Sequence, residues 1–505
     1  MGFVKQGGFH PGSILFSGLS ESTGMALDQI NFIVSQVVFL VLASILRTYL
    51  HPAKAKASTR HWFELLVGLL AGLFCFGRHA MHLLIMPGVC YIVIAQMNPK
   101  IMQRVTLIIS LIYLSVLHLY RQIYDYGSSN VDITGPIMVM TQKVTSLAFS
   151  LHDGTTKSEE EMNRNQKFEA IRETPCLLSY FSYCLSFQTL MAGPSISYKT
   201  YIDFIEGKSI PVSNSISKVL NKMDTETSNE PSPFYPVLYK VLTAAVCGVM
   251  FIFLGGYFPI SGLKDSRFLV DAAIPFKFWY MYLCLAACRL KYYFAWMFAD
   301  AICNNSGLGF NGYTENGKEK WDGVSNVDIF AFETGTNLKE TIDAWNIRTN
   351  VWLRTVAYER AKKYPTLMTF GLSALWHGFY PGYYITFASG AIFTSAARIG
   401  RRHVRHFFLK TNELKAFYDV ITLIITRLVI TYITFPFVLL ELGPSLQIYM
   451  RLYWCLHISA VALWVLGPFI IPKPNRPNQR NPGNVNVNQI ENTLRQVGPI
   501  TNSSS

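Results

Sequence analysis

Ten apolar segments of membrane-spanning length are the sequence feature that most restricts the fold of this chain. A helix needs roughly 20 consecutive apolar residues to cross the hydrocarbon core of a bilayer, and half of the 505 residues are hydrophobic. Backbone polar groups find no water inside lipid, so spanning segments are expected to be helical. The sequence predicts an all-α polytopic membrane protein with windows near residues 30–50, 62–77, 80–97, 104–121, 176–193, 236–258, 270–298, 370–397, 417–440 and 446–471.

Composition divides the chain into three regions. Residues 1–29 form an N-terminal segment rich in Gly and Ser, and the first span is expected to act as the insertion signal because no cleavable signal peptide is visible. Residues 30–471 are predicted to form one membrane-embedded domain. Residues 472–505 are rich in Asn, Pro and Ser and are predicted to be a disordered cytosolic tail, because such a composition cannot bury a core.

Positive charge is concentrated at two places along the chain. The formal net charge is +13, and short basic loops next to spans stay on the cytosolic side. Anionic lipid headgroups account for this excess, and the chain has no nucleic-acid motif, so no nucleic-acid partner is expected. The two cytosolic clusters are Arg398, Arg401, Arg402, Arg405 and Lys410, and Lys473, Arg476 and Arg480.

One polar segment is predicted to lie at membrane depth. Asp132–Pro136 is followed by an apolar stretch, Ile137–Leu151, that contains Thr141, Gln142 and Lys143. Polar groups at this depth are tolerated where protein or water covers them. We expect the segment to be buried among other helices or to be re-entrant.

No metal site is expected. The pairs His79/His82 and His403/His406 have helical spacing that would suit a metal ion, but no carboxylate or Cys completes either set. The nine cysteines contain no CxxC pair, so we interpret them as packing residues.

His377 is the first candidate for chemistry. It lies in an aromatic and glycine-rich stretch, Ser373–Tyr384, between apolar segments, and an ionisable group at membrane depth is a functional candidate by default. Gly378 and Gly382 permit close approach of another group, and Trp376 and Tyr383 are expected to line an apolar passage for substrate. The alternative is a hydrogen-bonded core histidine, a role equally open to His82, His118 and His457.

Asn346 is the second candidate. Thr341–Tyr364 is predicted to be one amphipathic, basic helix, because its apolar positions repeat at steps of three and four. Asn346 follows Trp345 at the edge of that stripe, where a carboxamide would face its packing partners. The alternative is a structural role in which the amide forms hydrogen bonds between helices, since a buried amide needs hydrogen-bond partners. The stripe consists of Ile342, Trp345, Thr349, Trp352 and Val356.

Acyl transfer is the reaction class that these two residue types suggest. A neutral histidine is suited to remove a proton from an alcohol that attacks an ester or thioester carbonyl. A nearby amide can orient the imidazole or donate to the developing oxyanion.

The chain resembles the membrane-bound O-acyltransferases, and within them the lysophospholipid acyltransferases of types one and two. The similarity extends over roughly residues 30–470. The motifs that carry it include Asp132–Pro136, Thr141–Phe149, Leu151–Gly154, Lys291–Trp296, Trp345–Ile347, Trp376–Gly378 and Pro381–Tyr384.

The resemblance implies a bundle of about eleven helices around a substrate tunnel, in the endoplasmic reticulum membrane. It implies that His377 and Asn346 are the catalytic pair and that acyl-CoA enters from the cytosol as co-substrate, with no further cofactor. The acceptor implied is lysophosphatidylethanolamine, lysophosphatidylcholine or lysophosphatidylserine, and the acyl chain is of the oleoyl type. The oligomeric state stays open.

Four further residues are expected to contact substrate: Trp345, Arg348, Trp376 and Tyr383. Arg348 belongs to the basic helix, whose charges would either hold the phosphates of CoA or reach to lipid phosphates. Two alternative functions are an acyltransferase for another alcohol, such as a sterol, diacylglycerol or protein serine, and a transporter, which would also place polar residues inside spans.

Overall fold

Helices account for the regular structure of the protein. A computed structural model of the chain describes residues 12–128, 130–208 and 231–470, and within these ranges the only β pairing is an isolated bridge between Tyr313 and Glu319. The predicted all-α class is therefore confirmed. The predicted tail at 472–505 and residues 1–11 lie outside the described residues, and the domain bounds 30–471 stay a prediction.

Eleven helices of 13 residues or more form the body of the described structure. Shorter helices connect them, and five 3-10 or π turns complete the helical structure. The long helices are Leu27–Thr48, Ala57–Phe76, His82–Gln96, Met102–Tyr124, Thr134–Thr156, Phe234–Tyr257, Ile274–Ser306, Pro365–His377, Pro381–Val404, Asn412–Leu439 and Cys455–Ile470. The shorter ones are Ser17–Thr23, Arg164–Glu169, Leu177–Cys184, Phe187–Leu190, Tyr198–Ile205, Ile329–Thr334, Leu338–Asp343, Ile347–Val356 and Leu442–Arg451.

Five helical segments of the described chain are long and apolar enough to cross a membrane, or six with one bent pair. The bent pair consists of Leu442–Arg451 and Cys455–Ile470, which meet at 77°. The window at 176–193 was wrong as a single span, because it folds into two short helices. The window at 370–397 is broken after His377, where Gly378 adopts φ 112° and Pro381 starts a new helix. The bundle of about eleven helices implied by the resemblance stays a prediction.

Thr134–Thr156 is enclosed by the rest of the bundle. Thr141, Gln142 and Lys143 are all buried, which confirms the prediction of a covered polar segment at this point. The Lys143 ammonium donates to the carbonyl oxygen of Tyr183 at 2.8 Å and to the hydroxyl of Ser186 at 3.1 Å. Such bonds are what a buried charge requires.

Two apolar core clusters make up the interior. One gathers side chains from the helices between residues 39 and 205 together with Trp352 and Trp376. The other gathers side chains between residues 244 and 460, and Trp345 packs against it. The segment from Trp345 to Trp352 therefore passes from one cluster to the other, and Asn346 lies at this passage.

The predicted continuous helix Thr341–Tyr364 was wrong. The chain forms Leu338–Asp343, turns, and starts again as Ile347–Val356. Asn346 separates the two with φ 48° and ψ 52°, a left-handed conformation that no α-helix contains and that Asn tolerates better than most residues. The apolar stripe continues across the break, so the sequence pattern does not reveal it.

The Asn- and Gly-rich composition of Asn304–Lys339 predicts an ordered loop, and in the structure the loop begins three residues later, at Gly307. Ile274–Ser306 continues through Asn304 and ends at Gly307, which adopts φ 93°. Asn304 is fully buried and its amide donates to the carbonyl oxygen of Trp321 at 3.2 Å. Asn304-Asn305-Ser306 matches a glycosylation acceptor that we expect to be unused, and a glycan on this buried side chain would have no room.

Candidate active site

His377 is the last residue of Pro365–His377, at a close contact between helices. A Cβ on Gly378 would lie 3.0 Å from the ring of His118, so glycine is needed for this approach. His118 in turn forms a 3.1 Å hydrogen bond between its Nε2 and the carbonyl oxygen of Trp376. The Met102–Tyr124 helix thereby fixes the position of the histidine.

Aromatic rings surround the His377 imidazole. Its ring centroid lies 5.7 Å from that of Tyr383, 5.2 Å from Phe387 and 5.0 Å from Phe437. His377 is nevertheless only half-buried, so part of the residue faces open space. The surroundings are apolar enough for fatty chains and leave access to the residue.

His377 differs from the other candidate histidines in its hydrogen bonding. Each of those has a partner: His118 as above, His82 with the Tyr113 hydroxyl at 2.6 Å, and His457 with the Ser389 hydroxyl at 2.9 Å. Within the described ranges, neither nitrogen of His377 forms a hydrogen bond. Buried polar groups usually have partners, so this imidazole is the one whose nitrogens are free to bind a substrate.

The Asn346 carboxamide is also unbonded within the part of the chain that the structure describes. Its backbone, by contrast, is held tightly. Asn326 accepts from the backbone N–H of Arg348 through its side chain at 3.1 Å, and from that of Ile347 through its carbonyl at 2.8 Å. The Asn350 amide donates to the carbonyl oxygen of Trp345 at 2.8 Å. The turn is thus fixed while the Asn346 side chain is left available.

A chain of aromatic contacts connects the two candidates. Trp345, next to Asn346, packs against Tyr292 with ring centroids 5.8 Å apart. Tyr292 lies close enough to Tyr383 for their hydroxyls to interact electrostatically, and Tyr383 packs against His377. On the other side, Trp352 and Trp376 are in contact at 5.7 Å. Both candidates therefore border one aromatic region.

The remaining sequence-predicted residues differ in their surroundings. Tyr383 is half-buried at the histidine. Trp345 sits among Tyr292, Trp296 and Phe332. Trp376 is buried and donates its indole N–H to the carbonyl oxygen of Met138 at 3.0 Å. Substrate contact by these three stays a prediction.

Arg348 is engaged by the protein itself. Its guanidinium donates to the carbonyl oxygen of Gly323, and the carboxylates of Asp300, Asp322 and Glu169 surround it. Burial raises the pKa of Glu169 above its ordinary value, although a hydrogen bond with Ser197 and the Arg348 charge oppose this. Contact between Arg348 and substrate stays a prediction.

The other cations of the predicted basic helix fall into two groups. Arg360 forms an ion pair with Asp153 at 2.5 Å. Arg354 pairs with Glu359 at 3.0 Å. Lys362 and Lys363 are exposed, and neither forms an ion pair with any described residue. Arg398 is also exposed, and its side chain donates to Thr366 at 3.1 Å, which brings it to the same end of Pro365–His377. We call Lys362, Lys363 and Arg398 the basic mouth.

A family model for the membrane-bound O-acyltransferases matches residues 118–435, which is more than half of the chain and includes both candidates. The chain belongs to the membrane-bound O-acyltransferase family.

Individual membrane-bound O-acyltransferases are similar over nearly the whole chain. Lysophospholipid acyltransferase 6 of Drosophila melanogaster is 46% identical over 98% of this chain and 69% of its own length. Human membrane-bound glycerophospholipid O-acyltransferase 2 is 43% identical over 90% of this chain and 88% of its own. Membrane-bound glycerophospholipid O-acyltransferase 1 of Mus musculus is 38% identical over 94% of this chain and 96% of its own length.

The protein is therefore a multi-pass membrane acyltransferase. Sequence reasoning missed several residues of its candidate site, among them Asn326, Phe387 and Phe437. Tyr292 was inside a quoted family motif, Lys291–Trp296, but its contact with Trp345 depends on tertiary structure. Free imidazole and amide groups beside an apolar region are what acyl transfer between lipids requires, namely a proton acceptor and a hydrogen-bond donor.

Proposed function

We propose that this membrane-bound O-acyltransferase transfers an acyl chain from acyl-CoA to the free glycerol hydroxyl of a lysophospholipid. The observation that supports it most directly is the pairing of two unbonded polar groups, His377 and Asn346, on one aromatic region. The printed names of the relatives, lysophospholipid and glycerophospholipid acyltransferases, support this acceptor class. The reaction would remodel phospholipids in the endoplasmic reticulum membrane.

The chemistry follows from the two side chains. The neutral His377 imidazole takes the proton of the lysophospholipid hydroxyl as its oxygen attacks the thioester carbonyl. The Asn346 amide donates to the oxygen of the tetrahedral intermediate. The carbon–sulfur bond then breaks, and the imidazolium returns the proton to the leaving thiolate. The products are a diacyl phospholipid and free CoA.

The basic mouth suits the phosphates of CoA. It lies at the start of Pro365–His377, whereas His377 ends that helix, 12 residues later, or about 18 Å along the axis. A donor bound by its phosphates at the mouth would extend its thioester inward toward the imidazole. By the positive-inside rule this mouth faces the cytosol, where acyl-CoA is available.

A panel of acceptors tests the proposal. Purified protein is given oleoyl-CoA and, in separate reactions, lysophosphatidylethanolamine, lysophosphatidylcholine, lysophosphatidylserine, cholesterol, diacylglycerol or a serine peptide, and products are measured by mass spectrometry. We expect diacyl phospholipid from at least one lysophospholipid, and none from His377→Ala. Turnover of a sterol, diacylglycerol or peptide alone would contradict the lysophospholipid acceptor.

A further inference from the structure

Lys291 is a positive charge at the middle of a long bundle helix. It lies 17 residues after Ile274 and 15 before Ser306, or about 26 and 23 Å from the two ends. This helix packs against Leu27–Thr48, Phe234–Tyr257 and Asn412–Leu439, three of the apolar candidate spans. The hydrocarbon core is about 30 Å thick, and because all three neighbours are candidate spans we place the middle of this helix, and Lys291 with it, at membrane depth.

The Lys291 ammonium has no acidic partner among the described residues. Arg121, which lies near Lys291, has its own carboxylate partner, Asp132, at 2.9 Å. Lys291 itself lies 5.1 Å from the centre of the Tyr292 ring and close enough to Arg121 for the two charges to repel. The Cys288 thiol is a further neighbour, but a cation without a carboxylate partner at membrane depth is costly and marks a functional site.

Lys291 faces the interior of the bundle, toward the candidate active site. Arg121 belongs to a different helix, Met102–Tyr124, so the ammonium points across the bundle and not into lipid. The Lys291 side chain is exposed despite this position, which indicates open space around it. Its neighbour Tyr292 contacts Trp345 beside Asn346 and lies near Tyr383 beside His377. The Lys291 ammonium, 5.1 Å from the Tyr292 ring, therefore lies beside the aromatic residues that connect the two candidates.

We propose that Lys291 binds the phosphate group of the acceptor phospholipid, an inference that rests on the proposed function. In a lysophospholipid only the three-carbon glycerol separates the phosphate from the reacting hydroxyl, so a phosphate-binding cation must lie near the reacting atoms. The phosphates of CoA are separated from the thioester by a long arm and are placed at the basic mouth. The position of Lys291 therefore suits the phosphate of the acceptor and not the phosphates of CoA. A neutral acceptor such as a sterol would leave the Lys291 charge without an anionic partner.

Steady-state kinetics of the full-length protein tests this assignment. Lys291→Met removes the charge and keeps much of the side-chain volume, while Lys291→Arg retains the charge. We expect Lys291→Met to raise the KM for lysophosphatidylcholine or the best lysophospholipid by about tenfold or more, the effect of losing one hydrogen bond to a charged group. The KM for oleoyl-CoA should stay within twofold, and Lys291→Arg should recover most of the loss.

A phosphate-free acceptor supplies the second measurement. Wild-type protein should use monooleoylglycerol less efficiently than the lysophospholipid, and Lys291→Met should lose most of that preference while its turnover of monooleoylglycerol is unchanged. Because both acceptors are compared in the same protein sample, a partly unfolded variant cannot imitate this result. Lys277→Met is the matched control on the same helix, 14 residues earlier, and should keep the preference.

Three results would overturn the assignment. If only the KM for oleoyl-CoA rises, Lys291 binds the phosphates of CoA instead. If kcat falls for both acceptors while KM is unchanged, Lys291 positions the site and does not recognise the phosphate. An unchanged preference in Lys291→Met would remove it from recognition altogether. Each of these leaves the proposed function intact, whereas failure of the wild type to acylate any lysophospholipid would refute that function itself.

Discussion

The indole rings of Trp352 and Trp376 are in contact, with centroids 5.7 Å apart, and this contact joins the helix that follows Asn346 to the helix that ends at His377. Trp352 also donates its indole N–H to the Thr145 hydroxyl at 2.8 Å, and both indoles are buried. The two candidate residues are 31 positions apart in sequence. The ring contact and the hydrogen bond to Thr145 of Thr134–Thr156 connect the two helices next to the candidates.

Replacing Trp352 is expected to disturb the site without touching substrate. Trp352→Ala removes a buried aromatic side chain, at about 3–5 kcal/mol of folding stability, and loosens the contact with Trp376. We expect a lower thermal unfolding temperature and a reduced kcat. Trp352→Phe keeps a ring in place and should retain more of both. Equal kcat values for Trp352→Ala and the wild type would show that the contact does not position His377.

Asn346→Gly separates the backbone role of this residue from its side-chain role. Glycine accepts the left-handed conformation at φ 48° without strain, so the unfolding temperature should be preserved. Loss of the carboxamide should still reduce kcat strongly. Asn346→Ala, by comparison, should lose kcat and also about 1–2 kcal/mol of stability, because alanine is strained in this conformation.

The account of Asn346 fails if Asn346→Gly keeps full activity. That result would show that Asn346 only forms the turn and takes no part in the reaction. Circular dichroism melting and acyl transfer rates on the same preparations supply both readouts.

Asn326 is expected to act as a positioning residue for Asn346. Asn326→Ala removes the acceptor of the Arg348 backbone N–H, and an unsatisfied buried donor costs about 1–3 kcal/mol. We expect kcat to fall while the KM values for both substrates change little. Asn337→Ala is the matched control, since that amide only caps the nearby helix Leu338–Asp343. If both variants lose kcat equally, Asn326 has no specific role.

The basic mouth is expected to govern the affinity for the donor. Lys362→Ala with Lys363→Ala removes two exposed charges, each contributing at most about 1 kcal/mol in water. The KM for acyl-CoA should rise by about two- to tenfold, and less at high salt because exposed charges are screened. The KM for the lysophospholipid should not change. If the KM for the lysophospholipid rises instead, acyl-CoA does not bind at the basic mouth.

Much of the fold follows from the sequence because apolar length and composition determine where helices can cross a bilayer. The covered segment at 137–151 was also predictable, because Lys143 at that depth needs protein around it. The break at Asn346 was not, since the stripe from Ile342 to Val356 continues through it and the turn is held by Asn326, a residue distant in sequence.

The candidate site was predictable only in part. His377 and Asn346 stand out by residue type and by motif, whereas their neighbours Phe387 and Phe437 are apolar residues like any others in a membrane helix. Arg348 looked like a free cation, but carboxylates and a backbone carbonyl from loop 307–328 and from two helices surround it. Only tertiary structure distinguishes it from Lys362 and Lys363, which no described side chain engages.

The most direct measurement is the rate of acyl transfer from oleoyl-CoA to lysophospholipid by His377→Gln, beside His82→Gln as a control. Glutamine keeps polarity but cannot accept the proton, so His377→Gln should lose about 100-fold or more in kcat with an unchanged unfolding temperature. His82→Gln, which removes a membrane histidine bonded to Tyr113, should stay close to the wild type. A His377→Gln protein that turns over at the wild-type rate would contradict the account.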